Sequence, residues 1–329
     1  MTKKSSTLKK WIDAYLASDP PRAKSLVMTL FGDVITPHGG KVWLGSLIDL
    51  LAPFGINDRL VRTSVFRLAE EGWLDAQREG RRSQYALNPK SAPRFERAYE
   101  RIYAPSFQSW DGKWTLLMAN SASLTTEQRS SLRRELVWQG YAMVAPMVFA
   151  HPGRDDEPLN EILHRVGVTG DVYVCRAQDA GLPSGRPTDA MVNEYWDLAP
   201  AIADYAHFIA RFSPLTDLLA GRGGIEPEQA FAIRILVTHA FRRVTLHDPQ
   251  LPLVLLPKDW PGKTAYELCC AVYKATCVLA EQYIDDTLKR EDDVAPSAAS
   301  YFYQRFGGLP RGCQKSSETE TTCLEGLEK

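Results

Sequence analysis

Apolar residues recur at helical spacing in three early stretches of the chain. AKSLVMTLFGDVI (23–35) carries them at intervals of three and four, and VWLGSLIDLLAPFG (42–55) is a second such run, ended by Pro53 and Gly55. A third helix is predicted after Asn57, whose side chain suits an N-cap, and Gly72 closes it. WLDAQ and SQYAL then alternate like short strands on either side of REGRR, so a hairpin with a basic, glycine-bearing turn is expected at 73–87. Three helices and a β-ribbon in this order predict a winged helix-turn-helix. LNPKSAPRFERAYERIYAPS (87–106) predicts a linking helix that stops at a proline boundary.

Beyond that boundary the period changes. KWTLLM reads as a strand, TTEQRSSLRRELVWQG as an amphipathic helix, YAMVAPMVFAH as a strand pair broken at Pro146, LNEILHRVG as a helix and DVYVCRA as a strand. That β-α-β-β-α-β order matches a ferredoxin-like module, whose open sheet edges suit pairing with a second copy. EYWDLAPAIADYAHFIARFSPLTDLL, PEQAFAIRILVTHAFRRVTLHDP and KTAYELCCAVYKATCVLAEQYIDDTLKRED are dense in apolar residues and poor in turn signals, as in packed helices. The expected fold is α+β and multidomain. A winged helix-turn-helix with its linker helix is expected over 1–105, a central ferredoxin-like β-α-β-β-α-β module over 106–185 and a mostly helical domain over 186–310. The polar tail, 311–329, is expected to be disordered. No internal repeat is present.

Stepping 100° per residue along the third helix separates two faces. Val61, Val65, Leu68 and Gly72 form one; Arg59, Thr63, Phe66, Arg67 and Glu70 form the other, with Arg62 on its flank. A solvated face rarely carries a phenylalanine among arginines. A helix that enters the DNA major groove explains the set: arginine donates two bonds to guanine, Thr63 reaches a base edge or phosphate, and a phenyl ring packs on a thymine methyl. Arg78, Arg81 and Arg82 at the ribbon tip are placed for phosphates or the minor groove. The alternative is that Phe66 packs on a neighbouring domain and the arginines are simply hydrated.

Charge sharpens this picture. The net charge of −1 conceals a split: residues 1–105 hold 17 Lys and Arg against 11 Asp and Glu, the remainder 22 against 29. A basic first third suits a polyanionic partner such as double-stranded DNA. No apolar run approaches the roughly 18 residues that a membrane helix needs, and MTKKSSTLKKWIDAYL lacks the apolar core of a secretory signal, so a cytoplasmic protein with no membrane partner is expected. The six cysteines, Cys175, Cys269, Cys270, Cys277, Cys313 and Cys323, show no CxxC or zinc spacing and read as free thiols, with no metal site.

Enzyme signatures are weak. No GxSxG, HExxH or phosphate-cradling glycine loop occurs, and GRGG (221–224) lacks the strand and Lys-Ser/Thr of a P-loop. A metal-dependent nuclease built on the central module, the rival reading, needs a carboxylate where the first strand ends; Met118, Ala119 and Asn120 supply none, and Asp155-Asp156-Glu157 reads as a hydrated acidic turn. A further rival is an acyl-CoA enzyme fused to a regulator. In the helical segment, Arg234, Thr238 and Arg242 align at i, i+4, i+8 on an apolar helix, beside His239 and Arg243. Such arginines need anions, either protein carboxylates such as Asp197 or Asp204 or the phosphates of a ligand. Tyr195, Trp196, Phe208 and Trp260 are candidate aromatic walls.

These stretches resemble the PaaX family of repressors of phenylacetic acid catabolism. The likeness runs from residue 22 to about 305. It rests on SLVMTLFGDVITPHGGKVWLGSLI, VRTSVFRLAEEGWL with GRRSQYAL, WDGKWTLL and, above all, HAFRRVTLHDPQLPLVLLPKDWPG at 239–262. The resemblance implies a homodimeric transcriptional repressor with a DNA-binding domain over 1–105, a central module over 106–185 that resembles CRISPR spacer-acquisition nucleases but serves dimerisation, and an effector-binding helical domain over 186–310. With the catalytic motifs missing, neither an enzyme nor a cofactor is expected. It also implies phenylacetyl-CoA as the effector. Within the C-terminal motif it carries over to Arg242, Arg243, Asp248, Pro249, Trp260 and Pro261. The effector residues expected from both lines together are Arg234, His239, Arg242, Arg243, Tyr195, Trp196 and Trp260.

Overall fold

The computed structural model describes residues 3–104, 110–153, 156–183, 185–220, 224–291 and 295–311. The polar tail from 312, Cys313, Cys323, Asp155 and most of GRGG lie outside the described residues.

The chain opens with α1 (Lys3–Ser18), a helix not anticipated from the sequence. Its stripe is nonetheless helical: Leu8, Ile12 and Tyr15 are buried at intervals of four and three. Next, α2 (Ala23–Leu30) runs into a π turn, Phe31–Ile35, so the expected 23–35 helix exists with one widened turn. The second expected helix begins late. Residues 41–43 are instead a strand, β1 (Lys41–Trp43), followed by α3 (Leu44–Leu51). Gly39 and Gly40, at φ +86 and +74, turn the chain out of the preceding helix, and Trp43 is extended at φ −71, ψ 146. The apolar run VWL masks that change of state, because a three-residue strand shows no alternation to set it apart from the helix behind it.

Asn57 caps α4 (Asp58–Glu70), its side chain accepting from the Leu60 amide at 3.0 Å. Gly72, at φ +73, ends the helix turn, and β2 (Leu74–Glu79) and β3 (Arg82–Leu87) pair in register from Leu74↔Leu87 to Glu79↔Arg82. The hairpin turn is thus Gly80-Arg81, shorter than the expected REGRR, and Arg78 and Arg82 sit in strands. The sheet order is β1-β3-β2. The linking helix is α5 (Ala92–Tyr103).

The central segment forms β4 (Lys113–Ala119), α6 (Thr126–Trp138), β5 (Ala142–Ala145), β6 (Val148–His151), α7 (Asp156–Val166) and β7 (Val172–Gln178). The β-α-β-β-α-β order is the one expected. The antiparallel sheet is ordered β5-β6-β4-β7, so each βαβ unit is split by a strand of the other. One sheet face buries Leu117 and Phe149 against Leu132, Leu136, Ile162 and Leu163 of its two helices. The other buries Trp114, Ala142 and Ala150 against Val192, Trp196, Leu198 and Leu251 of the C-terminal segment.

That segment comprises α8 (Ala190–Tyr195), α9 (Ala199–Phe212), α10 (Pro214–Leu219), α11 (Pro227–Thr245), α12 (Gly262–Leu288) and a 3-10 stretch, Ser300–Gly307. α11 is buried almost all round, from Gln229 to Thr245. It joins the two ends of the chain: one continuous core contains Leu26 and Phe31 of α2 and its π turn, Leu47 of α3, Val65 of α4, Phe231 and Leu236 of α11 and Tyr273 of α12. Among the described residues no helix is long and apolar enough to cross a membrane. Cys269 and Cys277 are buried, Cys270 partly so and Cys175 exposed, all as free thiols.

Candidate nucleic-acid interface and ligand cavity

The two faces of the α4 wheel are kept in three dimensions, except that Gly72, expected on the core face, lies beyond the helix end and is exposed while Ser64 joins the buried seam. Val61, Ser64, Val65 and Leu68 are buried, while Arg59, Arg62, Thr63, Phe66 and Arg67 face solvent. Phe66 is 61% exposed, so it does not pack on a neighbouring segment. Arg62 is braced by Asp58 at 2.6 Å, one turn back, and Thr63 Oγ1 donates to the Arg59 carbonyl at 2.8 Å. The helix therefore presents two guanidiniums, Arg59 and Arg67, that have no ion pair or hydrogen bond among the described residues, around an exposed ring. At the hairpin, Arg78 Nε donates to the Gly80 carbonyl at 3.3 Å and Arg81 projects from the turn. Arg82, expected among the outward cations, folds back. Its guanidinium lies 4.4 Å from the Trp43 ring centroid and donates to the Glu291 carbonyl at 3.2 Å.

The arginines of α11 part ways. Arg234 is fully buried; its Nε donates to Asp33 Oδ2 at 2.9 Å, and a second nitrogen meets Glu281. Its anions are these two carboxylates, not Asp197 or Asp204. The π turn exposes backbone as well as side chain: Arg305 donates to the Asp33 carbonyl at 2.9 Å and the Gly32 carbonyl at 3.0 Å, and meets Asp33 Oδ1 at 3.2 Å. Tyr103 and Tyr273 donate their hydroxyls to the same Oδ1 at 2.6 and 2.9 Å. His38 Nε2 lies 3.0 Å from Glu281. Burial by itself would raise the Glu281 carboxyl, but Arg234 and His38 hold it at about 2. The buried Asp33 and the partly buried Glu281 thus face two buried arginines. Asp33, Glu281 and Arg305 escaped the sequence reading, although a lone Asp inside an apolar helix was a visible sign of a buried partner.

His239 is buried, and its Nδ1 lies 2.9 Å from Thr29 Oγ1. Desolvation first, then the charges of Arg242 and Arg243, lower its pKa to about 3. Arg243 is exposed and lies 3.6 Å from Asp19. Arg242 differs from both. It is largely covered, no ion pair or hydrogen bond joins it among the described residues, and desolvation lowers its pKa, opposed by Tyr103.

Arg242 lines a cavity of about 910 Å³ enclosed by α2, α5 and α11, with Leu68 of α4, Trp73 and Leu87 at the root of the hairpin, and Trp138 of α6. Phe95, Tyr99 and Tyr103 contribute aromatic wall, and Arg22, Lys24 and Arg94 contribute further cations. Thr238 Oγ1, one turn before Arg242, is buried there without a hydrogen-bond partner among the described residues. Of the seven residues expected to bind an effector, only Arg242 reaches this cavity; Arg234 and His239 stand behind it through Asp33 and Thr29. The aromatics proposed as walls are elsewhere. Trp196 donates to the Gly140 carbonyl at 2.8 Å under the central sheet, Trp260 packs 5.7 Å from Tyr205, and Tyr195 is half-exposed beside Glu194. Asp248, from the same motif, is buried and accepts from the Tyr205 hydroxyl at 2.7 Å.

β4 ends at Ala119 and Asn120, whose side-chain oxygen accepts from the Ala122 amide at 3.1 Å. Among the described residues no cluster of three His, Cys, Asp or Glu side chains could hold a metal ion.

Comparison with known proteins divides the chain into three matched regions. Residues 22–91 match the family described as PaaX-like protein, 107–190 the PaaX protein central Cas2-like domain, and 196–286 the PaaX-like protein C-terminal domain. The transcriptional repressor PaaX of Escherichia coli (strain K12) is 38% identical over 305 residues, spanning 92% of this chain and 96% of that protein. Among solved structures, the uncharacterized protein Rv0674 from Mycobacterium tuberculosis superposes with a TM-score of 0.51 at 23% identity, over 80% of this chain and 98% of that one, a likeness of fold.

Proposed function

Because the chain belongs to the PaaX family, we propose that it is a transcriptional repressor that binds operator DNA as a homodimer and is released by an aryl-acyl-CoA, phenylacetyl-CoA first among them. In this reading α2 to α4 and the β2–β3 hairpin form a winged helix-turn-helix, with α4 as the recognition helix. The observation that carries it is the outward face of α4, where Arg59, Thr63, Phe66 and Arg67 stand exposed over a buried seam. An exposed ring between these guanidiniums gains contact only when something enters its space, and a base-pair edge with its thymine methyl does so. Arg81 and Arg78 then meet the adjacent backbone, setting register and salt sensitivity.

The central module supplies the dimer contact. β7 is an edge strand, paired on one side with β4 and with no second strand neighbour among the described residues, and Tyr173, 74% exposed, stands on it next to Val174. An edge of that kind suits a second copy. Two recognition helices related by the dimer axis then meet two half-sites. The role is regulatory, not catalytic, and belongs in the cytoplasm.

A gel-shift titration on the DNA flanking the protein's own gene tests this. The wild type is expected to form a specific complex that phenylacetyl-CoA dissolves. Arg59→Ala and Arg67→Ala should each weaken the specific complex by about 1–3 kcal/mol. Specific binding that is unaltered in both variants would remove α4 from the interface.

A further inference from the structure

We infer that the cavity between α2, α5 and α11 is the seat of the effector, and that its occupant is an acyl thioester of a phosphorylated carrier. The acyl group would lie among the aromatic side chains, the thioester carbonyl against Thr238 and Arg242, and the phosphates at Arg22, Lys24 and Arg94. This rests on the reading of the protein as acyl-CoA-released and adds where and how the ligand is held.

Three independent features converge here. The first is size: about 910 Å³ falls within the roughly 300–1,000 Å³ typical of small-molecule sites. The second is unsatisfied polarity. Among the described residues, the buried Thr238 Oγ1 has no hydrogen-bond partner and the largely covered guanidinium of Arg242 has no anion, and each carries a free-energy cost that a ligand oxygen removes. The contrast with Arg234, two turns earlier on the same helix, is instructive. That arginine is saturated by Asp33 and Glu281, so the helix holds one arginine for the fold and one that faces open space. The third is the arrangement of charge. Arg22, Lys24 and Arg94 are the more exposed cations of the cavity wall, and Arg94 lies 5.4 Å from the Trp73 ring. Lys24 pairs with Glu71, Arg94 lies 3.8 Å from Glu135, and Glu96 and Glu100 also line the rim. The mouth is thus mixed in charge, with Arg22 its cation without an ion pair among the described residues. An amphipathic anion would exchange those surface carboxylates for its phosphates while its apolar end lies among the rings.

The site also bears on DNA release. Leu68 lies on the inner face of α4, and Trp73 and Leu87 anchor the root of the hairpin, so an occupant touches the back of the DNA-reading elements and α11 at once. A ligand that fits best when these elements are shifted weakens operator binding by the same factor that operator weakens the ligand.

Titration calorimetry with phenylacetyl-CoA, coenzyme A and phenylacetate on the full chain tests the assignment, using Thr238→Val, Arg242→Gln and Ala98→Phe. Wild type is expected to bind the thioester more tightly than either fragment. Thr238→Val should weaken binding roughly threefold to tenfold and Arg242→Gln about tenfold or more, and Ala98→Phe should abolish it by filling the space. Thr238→Val guards against a folding artefact: it removes a hydroxyl that has no hydrogen-bond partner among the described residues, so the variant should melt no lower than wild type while still losing affinity. If wild type binds none of the three ligands, the acyl-CoA reading fails and this occupant with it, leaving the DNA interface untouched. If wild type binds phenylacetyl-CoA and both Thr238→Val and Ala98→Phe bind it equally well, the effector reading survives and the cavity is the wrong place.

Discussion

A cation in a folded chain needs water or an anion, and the arginines here divide along that line. Arg59 and Arg67 keep water, Arg234 and Arg305 take Asp33, and Arg242 has neither in full. His239 shows the same accounting for a titratable group. Burial first and its arginine neighbours second bring its pKa to about 3, against about 6.5 when unfolded. The unfolded chain therefore takes up that proton first as pH falls. The stability His239 contributes is complete above about pH 6.5 and is lost progressively toward pH 3. His151, which burial and then Arg101 bring to about 4, acts with the same sign. Replacing His239 with Asn should flatten the fall in unfolding free energy between pH 6 and 5 by up to about 1.4 kcal/mol per pH unit. Urea titrations at the two pH values measure it, and an unchanged slope would mean that His239 protonates in the folded protein.

Among elements, the π turn at Phe31–Ile35 has the widest consequences. Its Thr36 amide bonds to the Phe31 carbonyl at 2.9 Å, five residues back, and the Gly32 and Asp33 carbonyls accept from Arg305. One turn of α2 is thereby tied to α11 through Arg234, to α12 through Tyr273 and to the Ser300–Gly307 stretch through Arg305. Arg305 is also stacked 4.1 Å from the Tyr103 ring of α5. Removing one member of such a buried set leaves charge without compensation, so Arg305→Met should cost about 3–5 kcal/mol in denaturant unfolding. A loss below about 1 kcal/mol, the range of exposed ion pairs, would show that Arg305 is not a structural tie.

At the scale of the molecule, the two ends of the chain share one core, while the central module has its own on one sheet face and packs its other face on the C-terminal segment. Helices α2 to α4 cannot shed α11 without exposing Leu26, Phe31 and Val65, whereas the sheet of β4 to β7 buries Leu117 and Phe149 within its own α-β sandwich. Hydrogen exchange under native conditions should therefore give amides of α2, α3, α11 and α12 a common opening free energy, with the central sheet opening separately. Exchange of α2 and α3 at free energies well below those of α11 would show that the N-terminal segment opens independently. The shared core also explains how a ligand between the ends could move the DNA-reading face: α4 and α11 are walls of one cavity.

Periodicity is a local property, and whatever depends on it alone was determined by the sequence. The outward ring on α4, the Asn57 cap, the Gly72 stop and the β-α-β-β-α-β order all follow from residues a few positions apart. α1 had a legible stripe as well. The tertiary structure alone decided the three-residue β1, which exists because β3 pairs with it, and the return of Arg82 onto Trp43. It alone also chose the anion of Arg234, which lies 201 residues away in sequence at Asp33. A helical wheel shows that a buried arginine needs a carboxylate; it cannot show which of the chain's acids the packing brings within reach. The cavity is of the same kind. Its cations, aromatics and unpartnered hydroxyl come from α2, α5 and α11, and only the closure of one core around all three gives them a common space.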